Sequence, residues 1–260
     1  MLSVVGRRTN EGWVVRSSLR RARGIMAEGR SGSSVGTRRV MSASTPGVGL
    51  RWTESIKRGT DVVLSVMGLI GLSPVLLGVW ALVIVTSGRP SIYRGKVVGR
   101  DGKGFDCFKF RTMVLRGDDR AFVEYLKAWV AGQVTPYVSG KEYLYKFGRD
   151  PRITGVGRIL RRWSLDELPQ LFNVLRGEMS LVGPRPPVVQ EYALYGHKER
   201  GRLTIRPGIT GLAQVTARSG LTFEEMLRLD LEYVQQRSVG LDVRILMKTI
   251  GVVISGRGAR

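Results

Sequence analysis

From Val62 to Val85 the chain runs for 24 residues without a charged side chain. As a helix rising about 1.5 Å per residue, such a run can cross a hydrocarbon layer about 30 Å thick. The alternative is a buried core helix, but a domain of this size has little interior to cover so long an uncharged stretch on every side. The segment is therefore expected to enter a membrane.

Its middle and its flanks bear on how it does so. At Ser73-Pro74 the proline lacks an N–H and clashes with the carbonyl four residues back, so a helix must kink or break there. Lys57 and Arg58 precede the run, whereas Arg89, Arg94, Lys96, Arg100 and Lys103 follow it. Basic flanks favour the cytoplasmic face, and here both ends carry them. A re-entrant helix-break-helix over residues 51–94 meets both constraints. A single proline-kinked span, which would put one basic flank outside, is the competing reading. Ser73 is expected to re-satisfy backbone groups freed at the break.

The rest of the chain divides around this element. Residues 1–50 are rich in Gly, Ser and Arg and lack apolar periodicity, so they are expected to form a disordered basic arm, with attraction to anionic lipid as one use for it. No apolar stretch of the signal-peptide kind occurs there. Beyond Pro90, Phe105 to Arg111 alternates apolar and polar side chains over much of its length, the period of a half-buried strand, with Lys109 and Arg111 on one face. Helices are expected at Arg120 to Ala131 and near Gly157 to Arg162, and a loop at Thr135 to Gly140. Thr222-Phe223-Glu224-Glu225 has the form of a capping box, and Phe223, Met226, Leu227, Leu231 and Val234 follow on one helical face. Leu241 to Ile254 is apolar over most of its surface, suited either to the core or to a membrane interface.

Several chemistries are excluded by residue counts. With Cys107 as the only cysteine there is no intrachain disulfide and no cysteine zinc cluster; with His197 as the only histidine there is no multi-histidine metal site. His197 lies in a charged stretch and reads as a surface residue. Lys and Arg number 42 against 21 Asp and Glu, a formal charge of +21 that must meet nucleic acid, anionic lipid or phosphorylated substrates. No nucleic-acid module or aromatic interleaving accompanies the arm's arginines, so nucleic acid is not expected as a partner.

Acidic chemistry concentrates between Asp150 and Pro186, interleaved with arginines and no lysine. Arg158, Arg161 and Arg162 precede Asp166-Glu167, and Arg185 follows between Pro184 and Pro186. Arginine suits bidentate phosphate contacts. Of two adjacent carboxylates, one can attack phosphorus to form an acyl phosphate while the other holds Mg²⁺. Ser164-Leu165-Asp166-Glu167 is, however, also a capping-box pattern, in which Glu167 would only satisfy a backbone N–H. Spacing leaves both readings open, and they can coexist at a helix N-terminus.

A resemblance bears on the choice. The ordered motifs are Lys57-Arg58 with Asp61, Ser73-Pro74, Phe108-Lys109-Phe110-Arg111-Thr112-Met113, Asp150-Pro151-Arg152-Ile153-Thr154, Ser164 to Gln170, Val182-Gly183-Pro184-Arg185-Pro186 and Arg206-Pro207-Gly208-Ile209-Thr210-Gly211. In this order, over about 200 residues from Lys57 onward, the chain resembles the bacterial sugar transferases of the monotopic phosphoglycosyl transferase superfamily.

The resemblance implies a mostly helical α+β protein: a re-entrant membrane hairpin, and residues 95–260 as a small catalytic domain with a short β element at the cytosolic interface of the bacterial inner membrane. It implies transfer of a sugar-1-phosphate from a UDP-sugar to polyprenyl (undecaprenyl) phosphate, with release of UMP, as the first membrane step of glycan biosynthesis. Asp166 would be the nucleophile and Glu167 the Mg²⁺ ligand. Lys109, Arg111, Arg162, Arg185 and Arg206 would contact the diphosphate or the lipid phosphate, and Pro184 and Pro186 would hold the nucleotide side of the pocket. Asp61 would be a structural anchor. Larger relatives carry further membrane spans ahead of the catalytic part; nothing apolar of that length precedes Val62, so the minimal form is expected. A homo-oligomer is compatible with all of this. A non-catalytic basic protein held on anionic lipid is the rival class.

Overall fold

The computed structural model describes residues 48–114, 120–133, 152–216 and 220–255, with two short strands at 7–9 and 12–14. The expected loop at 135–140 lies outside them, as do Asp150 and Pro151 and most of the arm.

Two helices cover the apolar run. α1 (Val48–Gly71) and α2 (Ser73–Ser87) meet at Leu72 with a bend of 63°. The break follows from the chemistry of Ser73-Pro74. Pro74 lies in the first turn of α2, where its missing N–H costs nothing. Ser73 Oγ donates to the Ile70 carbonyl at 2.7 Å, supplying a partner to an acceptor at the end of α1. Among the described residues no single helix is long and apolar enough to cross a membrane, whereas this bent pair reaches that length and composition together. Both arms leave apolar side chains uncovered, among them Met67, Ile70, Leu77 and Val85. Patches of this extent mark contact with lipid or another macromolecule.

The foot of α1 is bolted to the rest of the chain. Arg58 donates to the carbonyls of Val174 and Leu175 at 2.7 and 3.1 Å, in the last turn of α5 (Gln170–Arg176), where a cation complements the helix dipole. Lys57 pairs with Asp242 at 2.6 Å. Asp61, 4% exposed, accepts from the Ser180 hydroxyl at 2.8 Å and the Leu181 N–H at 3.2 Å. Glu54 receives Arg237 and, at 3.7 Å, Arg206. Arg206, expected at substrate phosphate, also donates to the Gly177 carbonyl at 3.1 Å. The structure uses it to tie the foot of α1 to the α5 end, because the acidic Glu54 lies within its reach.

Beyond the hairpin, β3 (Ile92–Val98) and β4 (Lys103–Phe110) pair antiparallel from Ile92 opposite Phe110 to Val98 opposite Gly104. The sheet extends on the β4 side through β2 (Gly12–Val14) and β1 (Arg7–Thr9), so these six residues of the expected disordered arm are strand. They are recruited by backbone pairing with Lys103 and Gly104, which needs no apolar side-chain pattern.

α3 (Arg120–Val130) supplies Tyr125, Leu126 and Trp129 to an aromatic core shared with Phe223. α4 (Gly155–Arg162) is capped by Thr154, whose hydroxyl accepts the Gly157 N–H at 2.9 Å. Two short helices, α6 (Val189–Tyr192) and α7 (His197–Arg200), lie between the strands of a second, parallel pair, β5 (Ser180–Val182) and β6 (Gly208–Thr210). His197 is exposed. After α8 (Leu212–Thr216), α9 (Phe223–Gln236) begins with the expected capping box and buries Phe223, Met226 and Leu227. α10 (Val239–Ser255) packs through Asp242 and Ile245 while Val243, Met247, Ile250 and Ile254 stay exposed along one side. The expectation of core packing thus holds for one face of this segment, and the other face is open and apolar.

Candidate active site

The carboxylate pair sits where three motifs are folded onto one another. Chain 112–114 runs beside 152–154: Thr154 N donates to the Thr112 carbonyl at 3.0 Å and Val114 N to that of Arg152 at 2.9 Å. α4 can lie this close only because Gly157 has no side chain; a Cβ there would stand 2.2 Å from the Thr112 carbonyl oxygen. The helix then presents Arg161, whose Nε donates to Thr112 Oγ1 at 2.9 Å.

At the end of α4 the backbone turns sharply. Ser164 adopts a left-handed conformation, φ 52° and ψ 23°, and its side chain makes no capping bond. The capping box admitted at Ser164 is therefore absent, since a cap residue needs extended φ and ψ. A single 3₁₀ turn, Leu165–Glu167, carries the two acids, and Pro169 then starts α5. Holding a serine left-handed costs about 1 kcal/mol or more, a strain that aims this turn.

Asp166 is buried, 8% exposed. Burial, reinforced by the neighbouring Glu167 charge, pushes its carboxyl up to about 6 against the opposing pull of Lys109 and Arg161. Glu167 is half-exposed and receives Lys109 Nζ at 2.8 Å. Burial alone would lower the lysine, but Glu167 above all, with Cys107 and Asp166, carries its pKa above the ordinary value. Lys109 thus stays charged beside both acids. Removing it, as in Lys109→Met, strips a stabilising charge from the Asp166 carboxylate. The acid limb of the pH–rate profile should then move to higher pH, and a profile that stays in place would disprove the coupling.

β4 holds Lys109 through Asn173, which is wholly buried in α5. Its Oδ1 accepts the Phe108 N–H at 3.0 Å and its Nδ2 donates to the Asp106 carbonyl at 2.7 Å, so it pairs with β4 as another strand would.

The Pro184-Arg185-Pro186 loop flanks the same ground. Cys107, raised to about 11 mainly by burial, feels the charges of Lys109, Glu167 and Arg185 in that order among them. The loop is interlocked with the Arg206 to Gly211 segment: Gly183 N donates to the Thr210 carbonyl and Gly208 N to that of Pro184, each at 2.9 Å. A Cβ on Gly208 would come within 2.1 Å of Gly183 N, so only glycine fits. Pro184 and Pro186 are buried and Arg185 is exposed. Behind the loop, fully buried Arg202 donates to the Arg185 carbonyl at 2.7 Å and to Tyr195 Oη at 2.7 Å, and pairs with Asp230 at 2.6 Å and Glu191 at 3.6 Å.

Of the expected contacts, Lys109 joins the two acids and Arg185 lies close by. Arg162 does not: it is exposed and stacks on Trp163 with 5.9 Å to the ring centroid. Its neighbour Arg161 takes the place by the acids, because it lies four residues after Gly157, on the packed face of α4. Arg111 also turns elsewhere, donating Nη2 to the carbonyls of Ser87 and Gly88, the latter at 2.7 Å, since the β4 strand ends at Phe110. Arg202 and Asn173, absent from the expected set, are the residues that hold the site's shape.

As for a metal, the described residues contain no cluster of three acidic, histidine or cysteine side chains able to hold one. Mg²⁺ is commonly bound by one or two carboxylates completed by water and substrate phosphates, and the adjoining Asp166 and half-exposed Glu167 fit such a partial set.

Known proteins are similar to this chain in sequence. The description "Bacterial sugar transferase" fits residues 52–256. Exopolysaccharide production protein ExoY of Sinorhizobium fredii is 42% identical over 203 residues, 78% of this chain and 87% of that protein. Undecaprenyl-phosphate galactose phosphotransferase of Salmonella typhimurium is 43% identical over 210 residues, 80% of this chain and 42% of that protein. UDP-glucose:undecaprenyl-phosphate glucose-1-phosphate transferase of Escherichia coli K12 is 38% identical over 203 residues, 75% and 39% of the two. The chain spans less than half the length of the last two. With nearly all of its described residues inside the matched region, the chain belongs to the bacterial sugar transferase family.

Proposed function

We propose that this chain transfers a sugar-1-phosphate from a UDP-sugar to a polyprenyl phosphate, through a covalent intermediate on Asp166. The observation that carries the reading is a buried carboxylate with a pKa of about 6, next to a second acid and two cations, in a chain of this family. Such a group is ionised near neutral pH yet poorly solvated, which suits a nucleophile.

In the first half-reaction an Asp166 carboxylate oxygen attacks the β-phosphorus. The bond from that phosphorus to the bridging oxygen breaks, and UMP departs with the oxygen. In the second, an oxygen of the polyprenyl phosphate attacks the same phosphorus, and the acyl-phosphate bond breaks to restore the carboxylate. Lys109 and Arg161 offset charge gathering on the transferred phosphoryl group. Arg185, on a loop fixed by two prolines and Arg202, receives the donor diphosphate with little ordering cost. Mg²⁺, held by Glu167 with Asp166 beside it, would neutralise diphosphate oxygens.

The bent α1–α2 pair is read as a re-entrant hairpin in the inner membrane that keeps the acids at the cytoplasmic headgroup level. Exposed Ser55, near the start of α1, and exposed Arg100 lie on opposite sides of the apolar run 62–85 in sequence. Cysteines placed at both should be labelled from the cytoplasmic side only; labelling from opposite sides would refute the hairpin. The reaction is tested by incubating a panel of UDP-sugars with undecaprenyl phosphate, Mg²⁺ and the purified chain. UMP release with one of them is expected, and no release with any would refute the proposal.

A further inference from the structure

A second site lies beside the hairpin, away from the carboxylates. Where α2 ends and β3 begins, Trp80, Ile84, Ile92, Tyr93 and three arginines line a cleft of about 640 Å³, within the roughly 300–1,000 Å³ range of small-ligand sites. The arginines are Arg89, Arg94 and Arg111. Among the described residues no carboxylate lines it.

Arg111 makes the cleft chemically incomplete. It is 4% exposed, and only Nη2 is spent, on the carbonyls that close α2; Nε and Nη1 are buried with no partner. A buried guanidinium with idle donors is costly to keep unless an acceptor arrives. Arg89 and Arg94 are exposed around it, so the local charge is positive with nothing opposing it in the lining. The remaining wall is apolar, and Trp80 and Tyr93 are 45% and 55% exposed, a pairing of ring and wet edge suited to an interface. The cleft therefore offers an anion site that opens onto the uncovered apolar side of α2.

We propose that this cleft binds the phosphate of a bilayer phospholipid, with Arg111 under the phosphate, Arg94 and Arg89 beside it, and the lipid chain along Trp80 and Ile84. Free phosphate would use the arginines but not the apolar wall. The acceptor lipid shares the chemistry, yet its phosphate must reach Asp166, and none of Asp166, Glu167, Lys109 or Arg161 lines the cleft. The proposal does not rest on the transfer reaction, and its readout is binding.

The delipidated full chain in detergent is titrated with phosphatidylglycerol, with diacylglycerol of the same tails, with inorganic phosphate and with undecaprenyl phosphate, and bound lipid is read by native mass spectrometry. Phosphatidylglycerol is expected to be retained one per chain, diacylglycerol and inorganic phosphate at least tenfold more weakly. Arg94→Gln, which leaves the α2 end intact, should weaken phosphatidylglycerol about tenfold, the value of one charge-assisted hydrogen bond. Arg111→Gln should weaken it further, and Asp166→Asn should leave it unchanged. Equal retention of diacylglycerol, equal binding of inorganic phosphate, or indifference to Arg94→Gln would overturn the proposal. Displacement of phosphatidylglycerol by equimolar undecaprenyl phosphate, lost in the same variants, would reassign the cleft to the acceptor and likewise overturn it.

Discussion

Replacing Asp166 with asparagine is expected to stop UMP release, by at least about a thousandfold, and at the same time to make the folded chain more stable. The two effects share one cause. Folding takes this carboxyl out of water, so its pKa in the folded chain, about 6, lies above that of an unfolded aspartate near 4. The folded chain holds the proton more tightly, and the stability this contributes is full below about pH 4 and lost as pH rises through about 6. At neutral pH the native protein bears the cost of a buried charge that asparagine does not carry. Asp166→Asn should therefore gain roughly 2–3 kcal/mol above pH 6 and nothing at pH 4, measured by denaturant unfolding at both values. A variant that turns over normally would exclude Asp166 as nucleophile; a gain independent of pH would exclude buried charge as the reason.

Arg202→Met is expected to have the largest effect on the fold. The wild-type guanidinium is 1% exposed between Glu191 and Asp230, which are themselves buried. Removing one partner from such a cluster strands the others and costs about 3–5 kcal/mol. Burial, only partly opposed by Arg202, already raises the pKa of Asp230, so the loss should be partly relieved at acid pH as the stranded carboxylates take up protons. Function should change in a specific way as well. With its carbonyl released, the loop that carries Arg185 loses a fixed support, and under the proposed function KM for the UDP-sugar should rise more than kcat falls. Arg202→Lys should recover stability in part, but not the hydrogen bonds made by two separate nitrogens. A melting temperature within a degree of wild type would rule out this cluster as a pillar of the domain.

Some of this architecture is legible in the sequence alone. The break at Ser73-Pro74 is a backbone effect of proline, and such effects act whatever surrounds them. Thr222 to Glu225 caps α9 for an equally local reason. Long-range contacts were less legible. Arg161 and Arg162 are the same residue type side by side, and only the close packing of Gly157 on Thr112 decides which of them faces the acids. The Ser164 sequence suits a capping box, but tertiary packing forces a left-handed turn that no local preference would choose. Arg206 and Arg111 stand in motifs that suit the carboxylate site, but Arg206 is drawn to Glu54 and Arg111 turns to the carbonyls at the α2 end, away from the acids and toward partners distant in sequence. Arg202 stands in an ordinary charged stretch, and its importance comes wholly from burial.

The seven residues of α5 connect two parts of the molecule usually considered apart. One end follows the turn that carries Asp166, and the other is gripped by Arg58 from the hairpin. At about 1.5 Å per residue this rod is roughly 10 Å long and too short to flex much. The carboxylate therefore rides at a set height above the hairpin, like a tool on a fixed post. Protein geometry sets that level, and under the proposed function an arriving lipid phosphate must come to it.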